Sequence, residues 1–278
     1  MSDPTVDPDA ALSAVRREKP LVNSLTNAVT INDVANVTLY WGGLPVMSDD
    51  EREVGEMVAG AQACLLNMGT VSEAGEAAMV AAGEAANENG VPLVVDPVGV
   101  GATPTRNRVA ERLVTEVRPD VIDGNYGEIS AIAGEESEVR GVESVGEYAD
   151  IAETAVAVAR QTDAVVVASG ETDVVATDEA AFEVRAGHPM MGEVVGTGCM
   201  QGVTVATFAG AMDDTLTATL AGTLAFGVAG EAAADGQFGE YAGPESYKTA
   251  FLDAVAGLGG VDLPDGDERI ERVVEAEA

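Results

Sequence analysis

Short apolar runs at 63–66, 92–95, 121–122 and 164–168 alternate with Ala- and Glu-rich stretches at 72–87, 107–116, 126–133 and 144–161. Runs that are apolar throughout must be buried on both faces, whereas the intervening stretches carry helical spacing. Strand, helix, strand, helix therefore predicts a mostly parallel sheet with right-handed crossovers and helices on both faces. After Val195 the pattern turns helical, over 199–211, 216–235, 244–258 and 268–278. Residues 1–10, with Pro4 and Pro8, read as a loose start, followed by a helix to about Glu18. No linker or fixed-period repeat divides the chain, so one domain over 1–278 is expected.

Charge narrows the partners. The 48 acidic residues against 14 Lys and Arg leave a formal charge of −34, which argues against nucleic acid or an anionic membrane as a partner. Disorder is not the reason for the acidity, because 46% of the residues are hydrophobic. Lys19 and Lys248 are the only lysines. This combination suits the cytoplasm of a high-salt cell, where carboxylates keep the chain soluble and salt screens their repulsion. Cys64 and Cys199 form neither a disulfide framework nor a metal-type cluster. The N-terminus shows no signal-peptide pattern, and the uncharged run at 215–230 is shorter than the ~20 apolar residues of a membrane span.

Ligands of open α/β sheets bind beyond the carboxyl ends of the strands. There the chain reads Asn67, Gly69 and Thr70, then Asp96-Pro97-Val98-Gly99-Val100-Gly101-Ala102-Thr103, then Asp123-Gly124-Asn125-Tyr126-Gly127-Glu128, then Ser169-Gly170-Glu171. Each is an ordinary turn composition, but four on one edge predict a ligand cleft. The sharpest motif is Gly196-Thr197-Gly198-Cys199 before a helix. Glycines allow close approach, and a helix start offers unpaired N–H groups to an anion such as a phosphoryl group. A thiol there is expected to ionise below the ~8.5 of free cysteine and to take a proton from an attacking alcohol. Spacing alone leaves the alternative open that Cys199 is a small residue packed under a turn. Cys64, inside a strand run, reads as core.

These motifs resemble the ribokinase-like small-molecule kinases, and among them the hydroxyethylthiazole kinases. The resemblance extends from about Pro20 to Ala211 and rests on Thr26-Asn27, Pro45-Val46-Met47, Leu66-Asn67-Met68-Gly69-Thr70, the Asp96–Ala102 run, Gly124-Asn125 with Glu128, Ser169-Gly170-Glu171, Gly187-His188-Pro189 and Gly196-Thr197-Gly198-Cys199. It implies a three-layer α/β/α sandwich that phosphorylates 4-methyl-5-(2-hydroxyethyl)thiazole with ATP and Mg²⁺, in a homotrimer with the thiazole site between subunits. Met47, Asn27 and Gly196 would meet the thiazole, with Cys199 receiving the hydroxyl proton. Asp123, Asn125 and Ser169 would lie at ATP, and Glu128 and Asp96 at the metal. His188, though part of a family motif, reads as structural.

Two positions depart from the family pattern. Asp123 stands where the family has an arginine, and a carboxylate there repels phosphate unless a cation intervenes. Asn23 replaces a frequent histidine. Rival readings are a hydroxymethylpyrimidine or pyridoxal kinase, a nucleotide-dependent dehydratase of hydrated nicotinamide cofactors, and a non-catalytic binding protein. The vitamin kinases generally carry aspartate at the Cys199 position.

Overall fold

The computed structural model describes residues 4–134, 138–140, 143–145, 150–261 and 263–275. Its first half runs α1 (Pro8–Glu18), β1 (Leu21–Leu25), α2 (Ile31–Trp41), β2 (Leu44–Val46), α3 (Val54–Ala59), β3 (Ala63–Asn67), α4 (Glu73–Asn89), β4 (Leu93–Asp96), α5 (Pro104–Thr115), β5 (Val121–Asn125) and α6 (Tyr126–Ile132). A small hairpin of β6 (Glu138–Arg140) and β7 (Glu143–Val145) precedes α7 (Ile151–Thr162). Then come β8 (Val165–Ser169), β9 (Asp173–Ala176), β10 (Ala180–Val184), α8 (Thr197–Ala209), α9 (Thr215–Ala234), α10 (Pro244–Gly257), the short α11 (Gly266–Arg269) and β11 (Ile270–Glu275).

Among the described residues nine strands form one sheet in the order β11-β10-β9-β8-β5-β4-β3-β1-β2. The pairings from β2 to β8 are parallel, while β8–β9, β9–β10 and β10–β11 are antiparallel. Successive side chains on a strand face opposite ways. Leu65, Val94, Val121, Val167 and Val175 accordingly join one core layer with α1, α2, α8, α9 and α10. Cys64, Leu66, Leu93 and Val95 face a layer with α3, α4 and α5, and Ile122, Val166 and Ala168 face one with α7. The expected α/β/α sandwich results. Cys64 is wholly buried, as core.

Several boundaries differ from the sequence reading. The loose start ends early, because Asp7 caps a helix whose first residue is Pro8, where a missing N–H does no harm. Helix α7 begins at Ile151 rather than 144, which lies in a strand; residues 146–149 lie outside the described residues. The expected helix at 268–278 is largely wrong. Ile270–Glu275 alternates half-buried and exposed positions and pairs antiparallel with β10. The apolar residues Ile270, Val273 and Val274 carry helical spacing, but pairing with β10 fixes the segment as an edge strand whose half-buried face carries Ile270, Arg272 and Val274; residues 276–278 lie outside the described residues. Helix α9 spans 20 residues and is apolar enough by composition to cross a membrane, unlike the shorter run expected. Most of it is buried within the fold, packed with α8 and α10 in one core layer.

Candidate active site

Register places the functional strand ends side by side. Asn67 pairs with Asp96, and Asn125 with Ser169, so their loops open on one edge of the sheet. Helix α8 packs its buried residues on this edge and presents its N-terminus there. Its N-cap is Gly196 at φ +94°, and among the described residues no side chain caps the helix. The first N–H groups of α8 are thereby left for a ligand. A Cβ on Gly196 would lie 2.5 Å from Thr30 Cγ2, so this position combines positive φ with a close approach that only glycine allows.

Behind that turn sits Cys199, 9% exposed. Asn27 Nδ2 donates to Cys199 Sγ at 3.4 Å and to Asn67 Oδ1 at 2.9 Å. Asn67 Nδ2 in turn donates to Asp96 Oδ2 at 2.5 Å. The Asp96 carboxylate also lies within hydrogen-bonding reach of the thiol. Gly69 closes the nest, since a side chain there would stand 2.6 Å from Asn27 Cβ. The expected acidic thiol is not what this environment produces. Burial pushes the Cys199 thiol up to about 12, and the Asp96 charge adds to the effect. The helix start favours thiolate, but a buried site beside a carboxylate disfavours a second negative charge more strongly.

Four carboxylates converge on the same edge. Glu128 Oε1 accepts from Gly99 N at 2.6 Å and Oε2 from Asn125 N at 2.9 Å, closing a capping box with Asn125 at the start of α6. Burial raises Glu128 to about 7 against those two donors. Asp96 and Asp123 are raised well above the ordinary carboxylate range, by burial first and then by neighbouring negative charge. Asp173 is raised to about 6 by burial; its oxygens accept from Gly170 N and Gln201 Nε2. Arg106 fastens the loops above them. Its guanidinium donates to the carbonyls of Met68, Val98 and Gly69, all in the turns after β3 and β4.

On the other side of the α8 turn opens a cavity of about 530 Å³. Ser169, Gly170 and Asp173 form one wall, Gly187, His188 and Met191 another, and Thr197, Gly198 and Gln201 the floor. Thr197 and Gly198 thus border the cavity while Cys199 faces the nest behind them. Of the residues expected at a nucleotide, Ser169 lines this cavity. The side chain of Asn125 instead accepts from Glu128 N as the cap of α6, and Asp123 is only 3% exposed beneath the edge. Met47 lies half-buried after β2, against the core layer. Asn23 exchanges hydrogen bonds with the backbone of Ser48, so it anchors the turn that carries Met47. His188 Nδ1 accepts from Met190 N, consistent with the structural reading, although the residue also borders the cavity. Asp173, Gln201 and Met191 escaped the sequence analysis, and only Gly187-His188-Pro189 pointed toward that wall.

Known proteins share both the sequence and the shape. Residues 12–259 match the hydroxyethylthiazole kinase family. A hydroxyethylthiazole kinase of Natronomonas pharaonis is 64% identical over 275 residues, 98% of each chain. The solved structure of a hydroxyethylthiazole kinase protein from Pyrococcus horikoshii superimposes with TM-score 0.82 at 32% identity, covering 96% of this chain and 99% of that one. A pyridoxal kinase from Staphylococcus aureus, TM-score 0.54 and 14% identical over 75% of this chain and 86% of its own, shares the fold.

Proposed function

The chain belongs to the hydroxyethylthiazole kinase family, and on that premise we propose that it transfers the γ-phosphoryl group of ATP to the hydroxyl of 4-methyl-5-(2-hydroxyethyl)thiazole. One observation carries the reading at the level of chemistry. The uncapped start of α8 stands between a nucleotide-sized cavity and a buried thiol nest. A phosphoryl group passing from one side to the other would meet fixed N–H donors where its charge spreads.

ATP occupies the cavity, with Ser169 at its wall and its phosphates toward Thr197 and Gly198. Mg²⁺ fits the donor set nearby: hard carboxylate oxygens, one of them on Asp123 buried without a hydrogen-bond partner among the described residues. Glu128 would hold it, through water, and the ion would there supply positive charge to the phosphates in the transition state. The thiazole ring lies toward Met47 and Asn27, with its hydroxyethyl arm along Gly196.

The raised thiol requires a proton route without free thiolate. As the alcohol oxygen bonds to the γ-phosphorus and the bond to ADP breaks, the hydroxyl proton passes to Cys199 Sγ. The thiol's own proton passes to the Asp96 carboxylate. Cys199 ends neutral, as it began. Asp96, expected at the metal, is turned toward Asn67 and the thiol, which suits this accepting role.

Beside the buried nest the chain exposes Val29, Ile31 and Val195 (the last 73% exposed), next to the close approach of Thr30 to Gly196. A second copy covering these side chains would enclose the thiazole, as in a homotrimer with shared sites. The acidic composition supports work in a salty cytoplasm. The test is a coupled kinase assay in molar KCl with hydroxyethylthiazole, hydroxymethylpyrimidine and pyridoxal side by side. Turnover of the thiazole alone is expected, and preferred turnover of either other alcohol would overturn the assignment.

A further inference from the structure

One side chain on the floor of the cavity carries a polar atom that the fold itself does not use. Gln201 lies one turn into α8, beside Thr197 and Gly198, and is only 5% exposed. Its Nε2 donates to Asp173 Oδ2 at 3.1 Å, while Gly170 N donates to Asp173 Oδ1 at 3.0 Å. A carboxylate only accepts, so Asp173 fixes which end of the amide it meets and leaves Oε1 to face elsewhere. Among the described residues no donor reaches Oε1, and this oxygen is not sealed in the core as Asp123 Oδ2 is. A buried amide held in one orientation, with its acceptor end unmatched at a cavity, is built to meet a ligand.

Chemistry and position together select the group it meets. Donation to the carboxylate polarises the amide and makes Oε1 a stronger acceptor. A phosphate oxygen would be repelled there, whereas an O–H or N–H group would be bound. Gln201 follows Thr197 and Gly198 by three or four positions, about one 5.4 Å turn. Its side chain also leans back toward the helix start. The sugar adjoins the phosphates and falls within that span, whereas the polar edge of the base lies farther along the nucleotide. We propose that Gln201 recognises the sugar of the nucleotide, its Oε1 accepting a hydrogen bond from a ribose hydroxyl. With ATP in this cavity, on which the assignment rests, Gln201 separates ribonucleotides from deoxyribonucleotides.

The experiment is isothermal titration calorimetry of the full chain in molar KCl and Mg²⁺, with ADP, 2′-deoxy-ADP, 3′-deoxy-ADP and GDP. These ligands bind without turnover, so the identity of the acceptor alcohol plays no part. The parent should bind ADP about tenfold or more tightly than at least one of the two deoxynucleotides, since the analogue leaves a buried acceptor unpaired. Gln201→Met keeps the side chain's length and removes the acceptor; the preference should fall to within about twofold. Equal affinity of the parent for ADP and both deoxynucleotides would overturn the assignment, and that comparison needs no variant. A sugar preference that survives Gln201→Met, with only the choice of ADP over GDP altered, would overturn it too and place the residue at the base. Failure of every nucleotide to bind would instead remove the kinase reading, and the assignment with it.

Discussion

Removing the Asp96 charge should make the Cys199 thiol more acidic by an amount that can be read directly. With the thiol raised to about 12, only about one molecule in ten thousand carries thiolate at pH 8, against roughly a quarter for a free thiol near 8.5. Two unit charges about 4 Å apart at an effective dielectric of 20 interact by about 4 kcal/mol, equivalent to ~3 pKa units. That figure is the ceiling for what Asp96 contributes, since burial is the larger cause. Asp96→Asn should therefore move the thiol's ionisation down by about one to three units and leave it above 8.5. The assay is alkylation by iodoacetamide as a function of pH, because only thiolate reacts. Cys64 stays silent, being fully buried and likewise raised to about 12. In the parent the rate should still be climbing tenfold per unit at pH 10. A midpoint near 8.5 in the parent, unmoved by Asp96→Asn, would refute both the burial and the charge reasoning.

Other consequences can be checked with simple variants. Gly196→Ala forces a side chain into a left-handed turn against Thr30; denaturant unfolding should report a loss of about 1–3 kcal/mol, and unchanged stability would mean the turn relaxes freely. Asp173 has its folded ionisation raised to about 6, so between about pH 4 and 6 the unfolded chain loses this proton first and stability falls as pH rises. Asp173→Asn should flatten that window in a thermal melt, and an unaltered slope would acquit the residue. The formal charge of −34 predicts a thermal midpoint that falls as KCl is withdrawn, through unscreened repulsion; a midpoint indifferent to salt would contradict it.

The sheet's central strands were legible because each is a continuous apolar run, as in Ala63–Asn67 and Val165–Ser169. β1 was harder to see, because Asn23 and Ser24 interrupt it, and both prove fully or nearly fully buried. β11 was misread because three of its six residues are charged. At the site, each strand-end loop could be read locally, but the meeting of Asn27 with Cys199 spans 172 positions and depends on the folded sheet. The sign of the thiol's perturbation was hidden for the same reason. A helix start is local and visible, whereas burial beside Asp96 is a tertiary fact. Glu128 carried both signals, an Asn125–Glu128 capping-box spacing and a place in the carboxylate cluster.

Steady-state kinetics of Cys199→Ala test the proton relay most directly. If the sulfur passes the alcohol's proton, kcat should fall by about 10²–10⁴ while KM for ATP stays within about threefold, since the cavity lies on the far side of the α8 turn. Turnover close to that of the parent, or equal losses in kcat and ATP affinity, would reduce Cys199 to packing and contradict the account.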